Sequence, residues 1–233
     1  GGGEVVDIER EADVGGPMHS KGVLVLHGFL GGRYLPDEQL AMSASLTFEA
    51  GMAEVDGPSA SVAELVAVLS ALAEVPVRQD IAVSGSIGQD GSINAVGGTE
   101  HKIEGFYDVC VVQGLTGQQG VVIPRANVQQ LMLRPDVLEA VARGVFHVYG
   151  AAHVDEVIEL LSGMAAGERQ PDGAFPAGSF NRCVENRLAQ LAERRRDRSG
   201  GPDGDDGGPD WDAAARRRSR RRQGIPRRGP ASG

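Results

Sequence analysis

Residues 60–72, Ala-Ser-Val-Ala-Glu-Leu-Val-Ala-Val-Leu-Ser-Ala-Leu, carry one charge, that of Glu64. A helix that is apolar on nearly every side must be buried on nearly every side, so the rest of the chain has to be built around this segment. Directly before it stands Asp56-Gly57-Pro58-Ser59. The proline stiffens a turn that brings the Ser59 hydroxyl to the positive end of the helix, beside backbone N–H groups with no intrahelical partner. Taken alone, a serine before an apolar helix is an ordinary N-cap. It is also a good place for a nucleophile, and a serine nucleophile needs a base.

The candidate base is Lys102, 43 residues later, just inside another expected helix that opens after Gly97-Gly98. The chain has 21 arginines and only two lysines, Lys21 and Lys102. Arginine does not give up its proton within a protein, whereas a desolvated lysine can become a neutral base. For Lys102 to act near neutral pH its pKa must fall by about 3 units from ~10.4, a cost of roughly 4 kcal/mol that burial beside a helix N-terminus can supply. The alternative for Lys102 is a surface lysine paired with Glu100 or Glu104.

Gly57-Pro58-Ser59-Ala60 together with Gly97-Gly98-Thr99-Glu100-His101-Lys102 resembles the proteolytic domain of Lon proteases. The resemblance extends over residues 5 to 195, through Ser43-Ala44-Ser45-Leu46-Thr47-Phe48-Glu49, Ser61-Val62-Ala63-Glu64-Leu65, Pro76-Val77-Arg78-Gln79, Lys102-Ile103-Glu104-Gly105-Phe106 and Gly114-Leu115-Thr116-Gly117. These segments look most like the bacterial B-type, Lon-like branch; Pro58 departs from that branch, which commonly has Asp there, and matches the A-type.

The resemblance implies a serine endopeptidase with a Ser59–Lys102 dyad, ATP-dependent in the full-length protein. Ser84 matches a position where Lon domains usually carry a threonine that helps orient the lysine. Asp56 matches an acidic residue close to the dyad, where its charge would raise the lysine's pKa and act as a lock. Gly57 is a supporting residue of the turn. The family further implies an ATPase part, missing from this chain, that would use ATP and Mg. It also implies a hexamer, unfolded or damaged proteins as substrates, and a role in protein quality control. No cofactor or metal is expected in this chain, and a chain starting Gly-Gly-Gly reads as a fragment. A catalytically weak Lon-like assembly or binding module is the competing reading.

Two motifs imitate other enzymes. Leu24-Val25-Leu26-His27-Gly28 reads as a strand leading into an α/β-hydrolase oxyanion loop, with Gly57-Pro58-Ser59-Ala60-Ser61 as its nucleophile elbow, which would make the chain an esterase. Ser61 stands where the elbow's last glycine belongs, and about thirty residues are too few for the intervening elements. Gly15 to Gly22 imitates a phosphate-binding loop, but Ser20 and Gly22 occupy the wrong positions and Pro17 removes an amide donor.

Strands are expected at Val5–Arg10, Gly22–His27, Met52–Val55, Ile81–Ser84, Ser92–Val96, Val121–Ile123 and Val145–Val148. Helices are expected at Asp37–Glu49, Ala60–Leu72, from just after Gly98 through Lys102 to Val112, Asp136–Arg143, Val154–Leu161 and Val184–Arg196. The 81–84 and 92–96 strands should flank the turn Gln89-Asp90-Gly91. This mixture without a regular βαβ repeat gives an α+β fold with short mixed sheets and packed helices. The expected division is a proteolytic domain over 1–166, a partly helical extension over 167–196 and a disordered basic tail over 197–233.

Charge supports that division. Residues 1–193 carry a net −15 and residues 194–233 a net +6, so the acidic body is poorly suited to nucleic acid. No segment has the apolar length to span a bilayer, and a cytoplasmic location is expected. Cys110 and Cys183, far apart in sequence, fit neither a metal spacing nor a disulfide framework. His27, His147 and His153 are expected at strand ends in structural roles.

Overall fold

The computed structural model describes residues 5–7, 16–36, 40, 42–48 and 56–199. The apolar segment forms helix α2, Ser61–Ala73, with Val62, Leu65, Val66, Val68, Leu69 and Leu72 all buried. Each such side chain withdrawn from water contributes roughly 1.5–3 kcal/mol. The helix ends where Glu74 adopts the left-handed conformation, its N–H bonded to the Ser70 carbonyl, and Pro76 lies just beyond.

A three-stranded parallel sheet runs beside it, made of β3 (Ile81–Val83), β6 (Gly120–Pro124) and β7 (His147–Ala151), with β6 in the middle and buried throughout. Side chains alternate across β6. Val122 faces a core formed with α2, helix α1 (Pro17–Tyr34), helix α6 (Val154–Ser162) and helix α7 (Phe180–Ser199). Val121 and Ile123 face a second core made by helix α3 (Thr99–Gln113) and helix α5 (Pro135–Ala142), filled by Ile103, Tyr107, Val137 and Phe146. Burial of a parallel sheet on both faces is why β6 reads as an unbroken apolar run.

Two small sheets complete the body: β1 (Val5–Asp7) pairs in parallel with β2 (Ala44–Leu46), and β4 (Ser86–Ile87) with β5 (Ile93–Asn94) as a hairpin. The hairpin docks on the end of β7, through Ile93 N–H to the Ala152 carbonyl at 2.8 Å and Val154 N–H to the Gly91 carbonyl at 2.9 Å. Helices and short sheets of both senses make up the expected α+β architecture.

Three local expectations are corrected. Gly22–His27 is not a strand but the middle of α1, where Val23, Leu26, Phe29 and Leu30 are buried at helical spacing and Leu24 is 65% exposed. The expected helix over 37–49 contains β2 instead: Leu40 and Met42 are buried, Ala44 and Leu46 half-buried, and Ser43, Ser45 and Thr47 exposed, an alternation of period two. Residues 81–84 do not pair with 92–96; β3 joins β6, and the partner of β5 is the unforeseen β4. The expected strand at Met52–Val55 lies outside the described residues, as does the tail from residue 200 onward.

Residues 167–196 contribute Phe175, Phe180, Val184 and Leu188 to the core around α2. Among the described residues no helix is long and apolar enough to cross a membrane.

Candidate active site

Ser59 lies in a 3₁₀ turn, Pro58–Ala60, leading straight into α2. Gly57 before it has φ +104°, a conformation that L side chains rarely adopt, and a Cβ there would meet nothing within 4 Å. Glycine is therefore required for backbone conformation rather than for space. Ser61 braces the turn: its buried Oγ donates to the Pro58 carbonyl at 2.8 Å and accepts from the Ile87 N–H at 3.0 Å. The sequence offered Ser61 as a misplaced elbow glycine and as part of a Lon-like segment; its bracing role depends on β4, which the residue pattern did not reveal.

Backbone bonds tie this turn to the end of β3. The Gly85 N–H donates to the Ser59 carbonyl at 2.8 Å, the Val62 N–H to the Gly85 carbonyl at 3.3 Å, and the Ser84 N–H to the Val122 carbonyl of β6 at 2.9 Å. Ser59 and the buried Ser84 are thereby held side by side. Lys102 arrives in the first turn of α3, whose N-cap, Gly98, has φ +67°.

Lys102 Nζ lies 2.7 Å from Ser59 Oγ and 3.1 Å from Ser84 Oγ. Partial burial lowers the Lys102 pKa below the ordinary lysine value. The residue as a whole is exposed while its amine end sits between the two hydroxyls. Ser59 does not cap α2, which has no side-chain cap at its start, and Glu104 accepts the Arg134 N–H at 2.9 Å.

Asp56 is turned elsewhere. Its Oδ1 accepts the Gly57 N–H at 2.8 Å and the Met18 N–H at 3.2 Å, so it caps α1 rather than contacting Lys102. A Cβ on Gly16 would fall 2.4 Å from the Asp56 carboxyl carbon, and glycine there makes room for this cap.

His147 and His153 take structural roles. His27 is exposed on α1 and not at a strand end, which also removes the strand required by the esterase reading. His147 Nε2 bonds the Gly117 carbonyl, and His153 Nδ1 accepts the Asp155 N–H at the start of α6. Lys21 is exposed on α1. Among the described residues no group of three His, Cys, Asp or Glu is placed to hold a metal ion.

The arrangement at Ser59 can perform acyl transfer: a hydroxyl on a rigid turn, a partly desolvated amine within hydrogen-bond reach, and a second hydroxyl on that amine. Comparison with known proteins bears on the same region. The family model of the Lon protease (S16) C-terminal proteolytic domain matches residues 35–162, more than half of the chain and all of the site. The chain is 43% identical over 195 residues, 83% of its length, to a Lon protease homolog of Escherichia coli (strain K12), and 40% identical over 196 residues to one of Haemophilus influenzae. It is 38% identical over 106 residues, 46% of its length, to an archaeal Lon protease of Pyrococcus abyssi. It spans about a third of the first two relatives, 32% and 33% of their lengths. This chain belongs to the family of Lon protease C-terminal proteolytic domains.

Proposed function

We propose that the chain is the peptidase part of a Lon-type protease and works through a Ser59–Lys102 dyad. The observation that carries the proposal is the 2.7 Å contact between Lys102 Nζ and Ser59 Oγ, with Ser84 Oγ at 3.1 Å on the same amine. Neutral Lys102 takes the Ser59 proton as Oγ attacks the peptide carbonyl, and returns it to the departing amine. Water then hydrolyses the acyl-enzyme with the lysine again as base. Ser84 accepts an N–H of the neutral amine and so leaves its lone pair directed at Ser59. Backbone N–H groups of the Pro58–Ala60 turn are assigned to the developing oxyanion.

Unfolded or damaged proteins are the proposed substrates and a hexamer the proposed working assembly, acting in the cytoplasm. ATP-driven unfolding is assigned to sequence outside this chain, so the chain by itself should cleave small peptides slowly and turn over no ATP. A sulfonyl fluoride probe followed by peptide mass spectrometry tests the site: Ser59 Oγ displaces fluoride and carries the sulfonyl group. The adduct should be on Ser59 in the wild type and absent in Lys102→Met. Labelling spread over other serines, or unchanged in Lys102→Met, contradicts the proposal.

A further inference from the structure

The dyad depends on where the first turn of α3 sits, yet the loop that delivers it has little to hold it. Gly97 and Gly98 are exposed, and a Cβ at either would meet nothing within 4 Å. Ile103 and Tyr107 pack the middle of α3 into the second core, which fixes the helix body but not the approach to its start.

The hold comes from Val96. Its N–H donates to Asn127 Oδ1 at 3.1 Å, while its carbonyl accepts from Asn127 Nδ2 at 3.0 Å and from the buried Thr99 Oγ1 at 3.2 Å. Asn127 belongs to the short helix α4, Arg125–Val128, which follows β6 without a gap. The same strand accepts the Ser84 N–H at Val122. One central strand therefore sets both sides of the site: Ser84 and Ser59 through Val122, and Lys102 through Asn127.

We infer that Asn127 is a positioning residue for Lys102, its side-chain amide clasping the Val96 backbone and so fixing the start of α3 at the distance from Ser59 that proton transfer requires. The inference rests on the dyad reading. Asparagine suits the task because it offers a donor and an acceptor side by side, the pattern of a peptide group; alanine offers neither and aspartate only the acceptor. A misplacement of about 1 Å in a reacting pair can lower the rate by about 100-fold.

Two lysines make a direct test practical. With ¹⁵N-lysine in the full chain there are only two Nζ signals, and the one lost in Lys102→Met is that of Lys102. The wild-type Lys102 should titrate below the ordinary lysine value. In Asn127→Ala its titration should move up toward that value, with kcat for a small peptide falling about 10- to 100-fold and KM changing less than about threefold. Asn127→Asp should move both readouts the same way by less, and serves if the alanine variant does not fold.

Tyr34→Phe, which deletes a buried hydroxyl bond of 2.6 Å from α1 to Asn181 of α7, is the stability control and should lower Tm without moving the lysine titration. An Asn127→Ala variant with wild-type titration overturns the inference, whether its kcat is intact or falls only in step with Tm. If wild-type Lys102 titrates where free lysine does, the dyad itself fails and the inference falls with it.

Discussion

In the proposed dyad Lys102 must shed a proton before it can take one from Ser59, and its surroundings favour the neutral form through burial. Activity should therefore rise with pH as Lys102 deprotonates, with an apparent pKa for kcat/KM below that of an ordinary lysine; a pH–rate profile that climbs only where free lysine titrates would contradict this. Stability follows the same group. The folded-state pKa is depressed, so between that value and the ordinary lysine value the unfolded chain binds more protons, and stability increases with pH across that window. Urea midpoints of the wild type and Lys102→Met, compared through the window, should converge as pH rises. Ser84 offers a second test at this scale. Ser84→Ala removes one of the two hydroxyls on Nζ and should lower kcat by up to about tenfold, the upper size of one neutral hydrogen bond, while Ser84→Thr retains most of the rate.

Helix α1 shows what a single cap does for an element. Pro17 at its start has no N–H to satisfy, Gly16 has no side chain to cap with, and the Asp56 carboxylate supplies the missing acceptor to Met18. Asp56→Ala should cost about 1 kcal/mol by urea denaturation and Asp56→Asn clearly less. A rise in peptidase activity in Asp56→Ala would instead reveal a lock on Lys102. The elements differ in how plainly their residues announce them. Helix α2 was legible because one charge in thirteen residues leaves few options, and β6 because its short apolar run is bounded by Gly120 and Pro124. Helix α1 was not, since Val23, Leu24, Val25 and Leu26 in succession fit a strand or a buried helix equally well, and four glycines argue locally against a helix that tertiary packing then favours. In β2 the apolar spacing Leu40, Ala44 and Phe48 concealed the alternation Leu40, Met42, Ala44 and Leu46. At the site, Ser59, Lys102 and Ser84 were legible through residue chemistry and family resemblance. Ser61 and Asn127 were not, because their partners Ile87 and Val96 are neighbours only after folding.

Across the described body, α7 joins the same core as α2. Phe180, the first residue of α7, is fully buried beside α1 and α6 side chains, so Phe180→Ala should cost about 3–5 kcal/mol in equilibrium unfolding, with every probe reporting one shared transition. A loss confined to α7, with the remaining helices unmoved, would make residues 167–196 a separable extension. A stable body of this kind is what the proposed site needs, because Ser59, Ser84 and Lys102 come from a turn, a strand end and a helix start. Its central claim is that Lys102 serves as a neutral base, and a fluorogenic peptide assay on wild type, Ser59→Ala and Lys102→Arg tests it most directly. Arginine keeps the charge and much of the reach but cannot become neutral, so Lys102→Arg should fold with a wild-type circular dichroism spectrum and, like Ser59→Ala, lose activity to background. A folded Lys102→Arg that retains most of the wild-type rate would contradict the account.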